Sequence, residues 1–95
     1  MNIVDAIGRR HLLTFSYDGF PRVVEPHTYG IDKKGHQALR AYQVGGGSES
    51  GQYVGWKIFH VGQMRGLSGM TETFHAPRPG YKRGDKAFAS IQAQL

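Results

Sequence analysis

Two basic side chains sit inside apolar runs: Arg40 within Leu39-Arg40-Ala41-Tyr42, and Lys57 within Trp56-Lys57-Ile58-Phe59. Burying a cation among apolar neighbours is costly unless an anion or hydrogen-bond acceptors meet it. On one face of a hairpin the two would form an anion site, because guanidinium and ammonium groups hold phosphate or carboxylate oxygens through charge-assisted bonds. The two segments flank the loop GGGSESG at 45–51. Pairing about Ser48 brings Arg40 opposite Trp56 or Lys57, and a slip of one residue turns Lys57 to the other face. Tyr42 and Tyr17 are the expected neighbours, placed to stack on a base or to hydrogen-bond. Trp56 alternates with Lys57 and reads as core. The competing reading is a pair of snorkelling cations that cover the sheet and meet Glu25 or Asp32.

A second basic-aromatic group lies in HAPRPGYKRG, residues 75–84, where Arg78, Tyr81, Lys82 and Arg83 could track a phosphate backbone. Its competing reading is a solvated connector. The histidines, at 11, 27, 36, 60 and 75, show no HxxxH spacing, so neither a metal nor a cofactor is expected. His27 reads as a histidine hydrogen-bonded into a sheet rim. Ser48 and Ser50 lie in a glycine-rich loop without the rigid setting or adjacent base of a nucleophile. That loop is not followed by the Gly-Lys-Ser/Thr of a phosphate loop. With no carboxylate pair either, a binding role is expected and catalysis is not.

These groups must be held by one small domain of 95 residues. Hydrophobic residues make up 39%, enough for one core, and the formal net charge of +5 favours polyanionic partners. No acid falls between Glu49 and Glu72, or between Glu72 and Asp85. The absence of cysteine excludes disulfides and thiol chemistry, and it fits a cytoplasmic protein with neither signal peptide nor membrane span.

Asn2 caps a short helix whose Ile3 and Ile7 face the core. Leu13, Phe15 and Tyr17 alternate along a strand, and Asp18-Gly19 is a tight hairpin signal. A strand follows from Pro21 to about Ile31, with an edge or bulge at Pro26. Further strands are expected at 37–44, 53–61 and 67–74. Asp85 then caps a last helix with Phe88, Ile91 and Leu95 on one side. The expected fold is mainly β: a small five-stranded antiparallel barrel over about 12–74, with a short N-terminal helix and a C-terminal extension and helix over 75–95.

The order of these features resembles the WYL domain, a bacterial module with an SH3-like, Sm-related barrel. The resemblance rests on Ala6-Ile7 with Arg9-Arg10, on Leu13, Phe15 and Tyr17, and on Arg22 ahead of Pro26. It continues through Gln37-Ala38-Leu39 with Arg40-Ala41-Tyr42, and Lys57-Ile58-Phe59-His60-Val61 with Met64 and Leu67. It covers residues 3–74. The naming Trp-Tyr is absent, and Gly62-Gln63-Met64 stands where the family has Asp-Arg-Ile. The resemblance implies a regulatory module that binds an anionic ligand, a nucleotide or single-stranded nucleic acid. It adds Arg22, Gln63 and Arg65 to the ligand surface of Arg40, Lys57, Tyr42 and Tyr17. The alternative is an assembly module, forming a homo-oligomer or docking to a larger protein through strand edges.

Overall fold

In a computed structural model that describes all 95 residues, the first element is a helix, α1 (Ile3–Arg9). The Asn2 side chain accepts the Asp5 N–H at 2.8 Å, and Arg10 ends the helix in the left-handed region, at φ 57. Ile3, Ala6 and Ile7 are buried, so α1 packs through the stripe its spacing foretells.

Six strands follow: β1 (His11–Tyr17), β2 (Phe20–Asp32), β3 (Gln37–Gly46), β4 (Gly55–His60), β5 (Arg65–Thr73) and β6 (Phe88–Gln94). Their sheet is antiparallel in the order β4-β3-β2-β1-β5, with β6 also paired to β2. The turn between β1 and β2 is Asp18-Gly19, both at positive φ (53 and 80), the conformation this dipeptide accepts readily. β2 organises the fold. One edge pairs with β3 from Arg22 to Ile31; the other is shared, with Phe20–Val24 on β1 and Thr28–Asp32 on β6. The bulge expected at Pro26 lies between Pro26 and Thr28, close to where that shared edge changes partner.

The expected closed barrel is not formed. β4 and β5 are the ends of the strand order and do not pair with each other. The sheet nevertheless curls strongly. Phe59 on β4 reaches across two intervening strands to Phe15 and Tyr17 on β1, with ring centroids 5.0 Å apart in both cases. In a flat sheet three strand spacings would hold β4 and β1 about 14 Å apart. The core between the curled sheet and α1 contains Leu13, Phe15, Val24, Leu39, Ala41 and Phe59. No helix is long and apolar enough to cross a membrane.

The expected C-terminal helix is also corrected: residues 88–94 form β6. Its apolar spacing mimics a helix because β6 carries two irregularities. Phe88 pairs with Asp32 and Ser90 with Ile31, then Ile91 with Gly30 and Ala93 with Tyr29. Each extra residue resets the alternation, so Phe88 and Ile91, three apart, stand on one face of the sheet. Gly30 permits this crossing, since a Cβ there would lie 2.1 Å from the Ser90 carbonyl oxygen.

Candidate anion site

The observed register decides which basic residues can act together. Arg40 pairs with Ile58, Ala41 with Lys57 and Tyr42 with Trp56. Arg40, Tyr42, Trp56 and Ile58 therefore share the outer face, while Lys57 stands on the inner face with Leu39, Ala41 and Phe59. The expected Arg40–Lys57 pair is not formed, because the register slips by the one residue that reverses Lys57. The Lys57 ammonium donates instead to the Gln52 carbonyl at 2.8 Å.

Arg40 meets a different partner. Residues 75–87 cross the outer face as a strap, and the Arg40 Nε–H donates to Asp85 Oδ2 at 2.8 Å. Burial alone would raise the Asp85 carboxyl. The Arg40 hydrogen bond, the Ala87 N–H and the Arg40 charge outweigh it and hold that carboxyl below its usual value. Asp85 is thus a turn residue tied to the sheet, where the sequence suggested a helix cap. Trp56 anchors the strap a second time, its indole N–H donating to the Pro79 carbonyl at 2.9 Å. Gly80, at φ 92, lies over that ring, where a Cβ would sit 3.1 Å from the indole nitrogen.

The strap's own basic residues divide between structure and surface. Arg78 forms a bidentate pair with Glu25, at 2.7 and 2.9 Å, and its guanidinium lies 4.7 Å over the Tyr42 ring. Glu25 raises the Arg78 pKa further through that hydrogen bond. Tyr81 donates its hydroxyl to the Leu95 carbonyl at 2.7 Å, and Arg83 donates to the same oxygen at 3.2 Å. Arg78 and Tyr42 are therefore occupied with each other. Lys82 stays exposed.

Beneath the strap His27 is fully buried, against Trp56, Phe74 and Tyr81. Its Nε2 accepts the Arg78 N–H at 3.1 Å, so Nδ1 carries the proton and donates to the Glu25 carbonyl at 2.8 Å. Desolvation lowers its pKa, against the raising effect of the Glu25 carbonyl and charge. Both ring nitrogens are spent, and this histidine is a neutral tie between sheet and strap.

Between sheet and strap lies a hollow of about 190 Å³ lined by Arg40, Trp56, Gly80, Tyr81, Lys82 and Asp85. A second hollow, bordered by Lys82, Arg83, Gly84, Asp85 and Lys86, shares Lys82 and Asp85 with it. Four cations, Arg40, Lys82, Arg83 and Lys86, thus border two adjoining hollows that share one carboxylate, Asp85, which Arg40 alone contacts. Arg40 of the first basic-aromatic group meets Tyr81 and Lys82 of the second here. Asp85, Trp56 and Gly80 are the members the sequence did not assign to a site. Asp85 standing between Lys82-Arg83 and Lys86 was the available signal.

The remaining candidates lie elsewhere. Arg22 is only 4% exposed, on the inner face, donating to the Gln43 side-chain oxygen and the Tyr17 carbonyl, both at 3.2 Å. The Tyr17, Phe20 and Phe59 rings surround its guanidinium at 5.6, 5.9 and 5.6 Å, and its Nε–H has no partner. It serves the core, as guanidinium–aromatic stacking allows. The Tyr17 hydroxyl accepts the His60 N–H at 3.1 Å and holds β4 to β1. Gln63 borders a separate hollow with His36 and His60, and Arg65 is exposed at the start of β5. Comparison with family models, curated proteins and solved structures finds no match for the chain.

Proposed function

We propose that the protein is a non-catalytic binding module that takes a phosphate- or carboxylate-bearing ligand, a nucleotide or single-stranded nucleic acid, at the strap face. This is the regulatory role that the WYL resemblance implies, with its surface moved from Arg40 and Lys57 to Arg40, Lys82 and the strap. The observation that carries it is the hollow in which Arg40 and Lys82 stand beside the Trp56 and Tyr81 rings. Cations bind phosphate oxygens and rings stack on bases, the two contacts that hold single strands without sequence preference. Asp85 holds Arg40 oriented until an anion competes for it.

Fluorescence anisotropy with a labelled single-stranded oligonucleotide, and separately with a labelled nucleotide, tests the reading at several salt concentrations. Lys82→Ala removes an exposed cation without a structural partner. It is expected to weaken binding and to reduce the salt slope by about 1. Arg40→Gln keeps a donor near Asp85 and is expected to weaken binding further. Unchanged affinity in both variants sinks the proposal.

A second reading, assembly through strand edges, is favoured by the open sheet. β5 is a terminal strand, exposed over most of its length, with Leu67 37% exposed. Sedimentation that shows a concentration-dependent dimer, lost on Leu67→Lys, would support it.

A further inference from the structure

We infer that Asp32, His36 and His60 form a binding site for a divalent metal ion of the zinc class, apart from the strap face and independent of the reading above. Asp32 ends β2, His36 ends the turn into β3, and His60 ends β4. The register pairs Ile31 with Gln37 and Ala38 with His60, which brings all three residues to one corner of the sheet.

The Asp32 carboxylate is divided between two tasks. Its Oδ1 accepts the N–H groups of Lys34 at 2.9 Å and His36 at 2.8 Å, which fixes the turn. Its Oδ2 faces His36 Nδ1 at 3.4 Å and His60 Nε2 at 3.7 Å. The three ligand atoms all lie within 4.8 Å of one another.

These separations are long for hydrogen bonds. The two Asp32–imidazole separations are close to the edges of a tetrahedron around zinc, which bonds of about 2.0–2.1 Å to nitrogen and oxygen set at about 3.3–3.5 Å; the imidazole nitrogens, within 4.8 Å of each other, would draw together on binding. The two imidazoles stack at 4.8 Å with 23° between their planes, so both rings stand side by side at the corner. With a metal ion between them, each imidazole would present one nitrogen to the ion beside the Asp32 oxygen.

Backbone contacts hold the site. Asp32 N–H donates to the His36 carbonyl at 2.8 Å across the turn, and His60 N–H is fixed by the Tyr17 hydroxyl. Two imidazole nitrogens and one carboxylate favour Zn²⁺, Co²⁺ or Ni²⁺ over Mg²⁺ or Ca²⁺. Three protein ligands leave one position free, as in zinc sites that keep a water. A hollow of about 460 Å³ bordered by His36, His60, Gln37 and Gln63 adjoins the two imidazoles. The sequence concealed this site because Asp32 and His36 meet across a hairpin turn and His60 arrives from another strand.

The test is calorimetric titration of the chelator-treated full chain with Zn²⁺, repeated with Co²⁺ followed by visible absorption. One saturable site per chain is expected. Asp32→Asn keeps an oxygen for both turn hydrogen bonds and removes the anionic ligand; His60→Ala removes a nitrogen. Each should weaken binding about tenfold or more while circular dichroism stays native. His75→Ala alters an exposed histidine outside the cluster and should leave affinity unchanged. Absence of saturable binding, or affinity unchanged from the native chain in both Asp32→Asn and His60→Ala, overturns the inference, the second result marking adventitious surface histidines.

Discussion

Two connectors of similar look behave in opposite ways. The β3–β4 loop and the strap both lack regular structure and both contain glycine. The loop is held mainly by itself: Ser48 meets Ser50 at 3.0 Å and the Gln52 carbonyl at 3.2 Å, with Lys57 closing its base. The strap is held by Arg78 on Glu25, Pro79 on Trp56, Asp85 on Arg40 and a backbone bond to His27. Their glycines do not separate them. What separates them is whether the segment carries long polar side chains that meet polar or aromatic partners on the sheet.

The strongest way to break this contrast is Arg78→Ala. It strands the Glu25 carboxylate, whose side chain is 8% exposed. A loss of about 2 kcal/mol is expected, below the figure for a fully buried pair because Arg78 itself is 41% exposed. Chemical denaturation measures it, and a loss within error of zero would show the strap to be loosely held.

Acid offers a milder test. His27 stays neutral in the fold, while in the unfolded chain it protonates near its ordinary value of 6.5. As pH falls the unfolded state takes the proton first. The stability from His27 is therefore complete above that value and is lost as pH falls toward the lower value of the folded protein. Melting temperatures between pH 7.5 and 5 should decline, and His27→Gln should flatten the decline. Asp32 and Asp85 carry lowered values from an ordinary 3.8 and act below this window.

The smallest effect belongs to the loop. Ser48→Ala removes only contacts within the loop and is expected to change stability by less than about 0.5 kcal/mol, read in the same denaturation experiment. A larger loss would erase the distinction between the connectors.

What the sequence disclosed follows the same division between local and distant causes. The Asn2 cap, the alternation of Leu13, Phe15 and Tyr17, the Asp18-Gly19 turn and the bulge at Pro26 depend on neighbours, and they were legible. Lys57 was not, because its face depends on the parity of a register across a long loop. Phe88 and Ile91 misled because bulges in β6 imitate helical spacing. Barrel closure depended on whether β4 and β5 meet, which no local pattern specifies. At the strap face, the cations and Tyr81 were visible, and their meeting through Asp85 and Trp56 was not.

Asp32 occupies a junction whose consequence reaches the end of the chain. Its backbone is the last β2 position paired with β6, opposite Phe88, while its carboxylate closes the turn and faces two imidazoles. β6 pairs with no strand other than β2. Were the corner to bind a metal ion as inferred above, ion and strand would share Asp32, and any free energy by which the ion favoured docking of β6 would equal that by which docked β6 favoured the ion.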